Sequence, residues 1–164
     1  MSQTEKDLQA AFAGESQANR KYLAFAAKAD EEGYPQVAKL LRAAAEAETV
    51  HVLAHLRALG GIATTADNLK AAISGETFEF ESMYPPMIAT AEAEGHKAAA
   101  RSFKYANTVE KVHAQLYRKA LANLDATQVV DYYVCSVCGY TCENEPPPSC
   151  PVCHANDRAF SMIK

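Results

Sequence analysis

The chain lacks any apolar run of the roughly 18 or more residues that a membrane-spanning helix needs, and its N-terminus has no hydrophobic signal core. A soluble, cytoplasmic protein without a membrane span is the expectation. It also lacks surplus positive charge, since 16 Lys and Arg stand against 20 Asp and Glu for a net charge of -4. That argues against general nucleic-acid binding and against a basic helix lying on a membrane surface. No cysteine precedes Cys135. All five cysteines lie from there on, four of them in two C-x-x-C pairs, and in a reducing compartment such pairs point to a metal rather than to disulfides. Proline is absent before Pro35, which leaves a long helix free to form over Thr4 to about Glu32. What is present is ordinary globular material, 49% hydrophobic and 22% charged, enough for a core.

One tetrapeptide occurs twice on helix-forming sequence, as Glu48-Thr49-Val50-His51 and Glu110-Lys111-Val112-His113. A carboxylate and an imidazole three positions apart share a helix face and can address one metal ion. Each copy has an upstream partner: Gly14-Glu15-Ser16 precedes Glu48 and Gly75-Glu76-Thr77 precedes Glu110, at offsets that agree to within a single position. A second register mark agrees, because Gly33 stands at the same offset ahead of Glu48 as Gly95 does ahead of Glu110. The two halves supply one Glu from each of two helices and one Glu-x-x-His from each of two others. That is the donor set of di-iron and di-manganese carboxylate proteins of ferritin-like fold, and such donors suit iron or manganese better than a thiolate-loving ion.

The helices expected around these motifs are four. Helix A starts with Thr4, Glu5 and Asp7 as cap and first-turn charge, and Leu8, Phe12, Ala18, Tyr22 and Phe25 mark its inward face. Gly33 ends it and Pro35 opens helix B, which runs to about Leu59 with Val37, Leu40, Leu41, Ala44, Val50, Val52 and Leu56 apolar. Helix C begins near Asp67, carries Glu76 and Glu79, and should kink or break at Met83-Tyr84-Pro85-Pro86. Helix D runs from about His96 to Leu124. A bundle is expected with the Glu and His residues buried at mid-length; His55 and His96 read as helix-surface residues. The stretch from Gly60 to Ala66 spans at most about 25 Å, whereas helix B is about 37 Å long. A parallel B and C would need a longer return, which suggests a homodimer with helices A and B swapped between chains. An up-down-up-down bundle with a tight B to C hairpin stays open beside it.

Composition changes after Leu124. Asp125 to Gln128 reads as a linker, and Val129, Val130, Tyr132, Tyr133 and Val134 have strand character. The 129–164 segment is too short to bury a self-sufficient core, so a metal is needed. Cys135-x-x-Cys138 and Cys150-x-x-Cys153 give four thiolates for zinc or a single iron; a redox bundle that needs electrons favours iron. Cys142 is left as a free thiol. The expected fold class is mainly α, a four-helix ferritin-like bundle over 1–126 followed by a small four-cysteine metal domain with short β-strands over 129–164, a tail that resembles rubredoxin-like domains.

With Phe12-Ala13-Gly14-Glu15-Ser16-Gln17-Ala18, Gly75-Glu76, Met83-Tyr84-Pro85, the two Glu-x-x-His motifs and the terminal knuckle pair, nearly the whole chain resembles the rubrerythrins. The resemblance implies di-iron ligands at Glu15, Glu48, His51, Glu76, Glu79, Glu110 and His113, and a mononuclear iron on Cys135, Cys138, Cys150 and Cys153. It implies a peroxidase that reduces hydrogen peroxide to water, with an NADH-dependent reductase or a rubredoxin as electron donor and with the four-cysteine iron serving the neighbouring chain. Glu79, whose counterpart by offset is Ala18, would exchange with His51 on one iron between oxidation states, and Tyr22 and Tyr84 would be the site tyrosines. Ferroxidase or iron-handling chemistry, and a bundle with a structural zinc ribbon, are the competing readings. One departure is His154 after Cys153, where such knuckles usually carry glycine; a non-glycine residue held at positive φ costs about 1 kcal/mol or more.

Overall fold

A computed structural model describes residues 1–126 and 129–164. It contains four long helical rods followed by a small three-stranded sheet, and it divides into two units, Met1–Ala63 and Thr64–Lys164.

The first unit is a helical hairpin of α1 (Gln3–Glu31) and α2 (Pro35–Ala58). The cap of α1 is Ser2 rather than Thr4: its hydroxyl accepts from Glu5 N while Glu5 Oε2 accepts from Ser2 N, a complete capping box. Gly33, at φ 82°, makes the turn, and Pro35 opens α2 where a missing N–H costs nothing. The two helices meet along small residues: Ala26, Ala29, Ala38 and Ala45 are buried. Of the large apolar residues expected inward, Leu41 packs half-buried against this seam, whereas Phe25, Val37, Leu40 and Val50 are 50% exposed or more in the chain. Asn19 Nδ2 crosses the hairpin to Ala45 O and Thr49 Oγ1, one turn from Glu15 and next to Glu48.

In the second unit, α3 (Thr65–Phe78) is capped by Thr64, whose hydroxyl accepts from Asp67 N. Of the kink or break expected at the two prolines, the break does not occur, and the irregularity falls just before them. A π turn over Glu79–Met83 leads directly into α4 (Tyr84–Ala93), and Tyr84 N donates to Glu79 O, five positions back. A wider turn holds one extra residue, which leaves Pro85 and Pro86 at the start of a fresh helical segment, the place that best tolerates absent donors. The same residue explains a mismatch between the repeats, since Tyr22 lies seven positions after Glu15 and Tyr84 eight after Glu76. Gly95 (φ 71°) closes α4, and His96 caps α5 (Lys97–Ala122), its Nδ1 accepting from Ala99 N.

Asp125 and Ala126 close a short 3-10 turn; Thr127 and Gln128 of the expected linker lie outside the described residues. Val129 and Val130 precede the sheet instead of joining it. Strand β1 (Tyr132–Cys135) is central, antiparallel to both β2 (Thr141–Glu143) and β3 (Phe160–Met162), in the order β2-β1-β3. No helix among the described residues is long and apolar enough to cross a membrane.

Candidate metal centre

Helical phase brings the motif residues together in each unit. In the hairpin, the ligand atoms of Glu15, Glu48 and His51 lie within 4.8 Å of one another. His51 Nδ1 is 3.2 Å from Glu48 Oε2 and 3.8 Å from Glu15 Oε1. In the second unit, Glu76, Glu110 and His113 form the same group, with His113 Nδ1 at 2.8 Å from Glu110 Oε2 and 3.8 Å from Glu76 Oε1. In both triads the histidine turns Nδ1 towards the carboxylates. None of the six is fully buried in the single chain.

Glu79 stands beside the second triad without belonging to its ligand-distance group. Burial raises its carboxyl above the ordinary carboxylate range, and the nearby Glu76 raises it further. Glu76 is itself raised, first by burial and then by Glu110. Like charges held this close need a cation or protons between them. The phenol of Tyr84 is pushed up by burial and by the carboxylates of Glu79, Glu110 and Glu76, which places it over the same charge cluster. Tyr22 is half-buried on α1.

Two residues at these sites were not expected. His55, read as a surface residue, puts Nε2 3.2 Å from Glu15 Oε2. Tyr117 is raised first by burial and then by Glu76 and Glu110. Both stand four positions after a motif histidine, so the spacing that found the first histidine also points to them. Glu15 Oε2 is buried, and the His55 imidazole beside it makes no well-aligned hydrogen bond to it. A carboxylate oxygen left in that state is what a bound cation satisfies, and the oxygen and imidazole donors fit iron.

The four cysteines form a second cluster. Cys135 and Cys150 are buried, and Sγ separations are 3.7 Å for Cys135 and Cys153 and 3.6 Å for Cys138 and Cys150. Four sulfurs about 2.3 Å from a tetrahedral ion lie about 3.8 Å apart, so the knuckles are preset for a metal. Gly139 (φ 84°) and His154 (φ 63°) hold equivalent left-handed positions, with N–H groups donating to Cys135 O and Cys150 O. His154 therefore carries the expected backbone strain. Burial pushes the Cys138 thiol well up. Burial also acts upwards on Cys150, but the N–H groups of Cys153 and Val152 hold it below its ordinary value. Cys142 stays outside the cluster, its Sγ 3.6 Å from Glu145 O.

Comparison with known proteins agrees with this arrangement. The rubrerythrin family model matches residues 6–121, and the model of the rubrerythrin rubredoxin-like domain matches 133–161. The chain is 36% identical to a rubrerythrin of Porphyromonas gingivalis, covering 99% of this chain and 91% of that protein. It is 35% identical to nigerythrin of Nitratidesulfovibrio vulgaris, over 96% and 85%. The fully reduced, all-ferrous structure of nigerythrin superposes with a TM-score of 0.59 at 33% identity, covering 99% of this chain and 88% of that one. The Glu and His donors of a di-iron centre and a four-cysteine rubredoxin-like iron site are both present.

Proposed function

The chain belongs to the rubrerythrin family, and from that premise we propose that it is a cytoplasmic non-haem di-iron peroxidase that reduces hydrogen peroxide to water. The observation that carries the reading is the pairing of two carboxylate–histidine triads with a four-sulfur cluster in one chain. Glu15, Glu48, His51, Glu76, Glu110 and His113 would hold the iron pair, with Glu79 as the additional carboxylate. Iron at that pair would supply two electrons to the O–O bond of peroxide and act as a Lewis acid towards it.

The chain's own groups do the rest. Tyr22 and Tyr84 would each donate a phenolic hydrogen bond to a bound oxygen. For Tyr84 the raised pKa keeps that proton in place. Glu79, whose carboxyl is raised by burial and by Glu76, would hold a proton beside the site when it is not a ligand. The residues 129–164 would bind the relay iron on Cys135, Cys138, Cys150 and Cys153 and receive electrons from an NADH-dependent reductase or a rubredoxin. Tethering keeps the relay's effective concentration high.

The proposed assembly is a homodimer in which α1 and α2 of one chain supply Glu15, Glu48 and His51 to the second-unit donors of the other. The link between Ala58 and Thr65 reaches about 25 Å at full extension, while the 24 residues of α2 run about 36 Å. The exposed Phe25, Val37, Leu40 and Val50 give the hairpin an apolar face for such a partner.

Metal analysis and visible spectra of anaerobically reduced protein, followed by peroxide titration, test the reading. Three irons per chain and a thiolate-to-iron colour that returns stoichiometrically with peroxide are expected. Zinc on the cysteines, or no reoxidation by peroxide, would remove the peroxidase and leave a helical metal protein with a structural tail.

A further inference from the structure

The cysteine domain is fastened to α5 of its own chain, at the level of Glu110 and His113, by contacts of three kinds. Gly139, directly after Cys138, lies so close to the helix that a Cβ there would stand 3.8 Å from Val109 Cγ1. Lys119 pairs with Glu143 of β2. Beside them, His113 Nε2 lies 3.0 Å from Thr141 Oγ1, and Thr141 Oγ1 donates to Gly139 O at 3.1 Å.

A hydroxyl has one hydrogen. With that hydrogen given to the Gly139 carbonyl, Thr141 can only accept from the imidazole, so Nε2 of His113 carries the proton. Nδ1 is then the bare nitrogen, and it is Nδ1 that faces Glu110 Oε2 at 2.8 Å and Glu76 Oε1 at 3.8 Å. Two donors each about 2.1 Å from one ion, at a right angle, lie about 3 Å apart. The hydrogen bond on the far side of the ring thus selects the tautomer that a metal requires and fixes the ring plane, as partners of metal-bound histidines do. The chain His113, Thr141, Gly139 ends next to Cys138 and joins the surroundings of one metal cluster to a ligand of the other.

We propose that Thr141 is a positioning residue for the metal ligand His113, reaching out of the cysteine domain to set the tautomer and orientation of a di-iron-site imidazole in the same chain. The inference rests on the metal-site reading above, and its test separates the two. In full-length protein loaded with zinc, nitrogen-15 spectra of the histidines should show the proton of His113 on Nε2 and the metal on Nδ1. Zinc affinity at the carboxylate–histidine donors should fall about 10–100-fold in Thr141→Val and return to within about threefold of wild type in Thr141→Ser, with occupancy of the cysteine cluster unchanged. A proton on Nδ1, an unaltered affinity in Thr141→Val, or a Thr141→Ser variant as weak as the valine would overturn the proposal. His113→Ala serves as the separate check. If it leaves that zinc site intact, the ligand assignment itself fails, whatever Thr141 does.

Discussion

Glu48-Thr49-Val50-His51 and Glu110-Lys111-Val112-His113 are one device in two settings. The His51 side chain is 54% exposed and sits in a hairpin of two helices, whereas His113 is 26% exposed and hydrogen-bonded on its far nitrogen to Thr141. The second setting also has a π turn that brings Glu79 alongside, and two tyrosines over its carboxylates. A repeated motif therefore repeats the donors and not their preparation. The half attached to the cysteine domain is held in its working geometry by contacts outside the motif, while the hairpin half has His55 on Glu15 as its main local support.

The most severe way to break this contrast is to remove a sulfur. Cys150 is 0% exposed and cannot be spared from a four-thiolate site whose metal contributes on the order of 10 kcal/mol to such a small domain. Cys150→Ser should collapse the amide dispersion of residues 129–164 in nitrogen–proton spectra while the helical circular dichroism remains, and metal affinity at the His113 donors should then drop to the level expected of the less supported His51 donors.

A smaller effect is expected from the ligands themselves. His113→Ala should weaken metal binding by more than the roughly 10–100-fold of an outer-shell change, and His51→Ala by less than His113→Ala. Equal losses in isothermal titration would mean that the difference in surroundings has no energetic weight. Association is the next lever. Leu40 and Val50 are 67% and 62% exposed in the chain, so Leu40→Glu with Val50→Glu should leave the helix content intact and shift the protein to monomer in sedimentation, with loss of the paired metals.

The smallest expected effect concerns Asp30, held below its ordinary pKa chiefly by its hydrogen bond with the Arg42 guanidinium at 2.7 Å. A carboxyl whose folded pKa is depressed stabilises above its unfolded value and loses that contribution as pH falls through the folded one. Thermal melts of metal-free protein should show this loss as pH falls from the ordinary carboxylate range through the depressed value of Asp30, with a slightly flatter profile in Asp30→Asn.

The donors were legible because helical phase fixes where residues three and four apart point, so Glu15, Glu48, His51 and their counterparts needed only spacing. The same rule covered His55 and Tyr117, yet a histidine without a motif partner reads as surface. The core was less legible. Periodicity selects large apolar residues such as Phe25 and Leu40, but the helices of the hairpin close on alanines, because near approach rewards absence of side chain over hydrophobicity. Pro85 and Pro86 announce that backbone donors are missing; whether the helix answers with a break or a wider turn is decided by the packing around it. The contact of Thr141 with His113 joins positions far apart in the chain through tertiary docking, and no local pattern encodes it.

The alanine seam of the hairpin has a mechanical meaning. Ala26, Ala38 and Ala45 have no rotamers to change, and at 0–1% exposure they have no room to shift. The hairpin is thus a stiff lever that cannot absorb strain by repacking. A change in the radius or charge of a metal bound there would have to be taken up at mid-length, by the carboxylates of Glu15 and Glu48 pivoting on flexible stems, so the compliance of the hairpin's donor set resides in a few glutamate torsions.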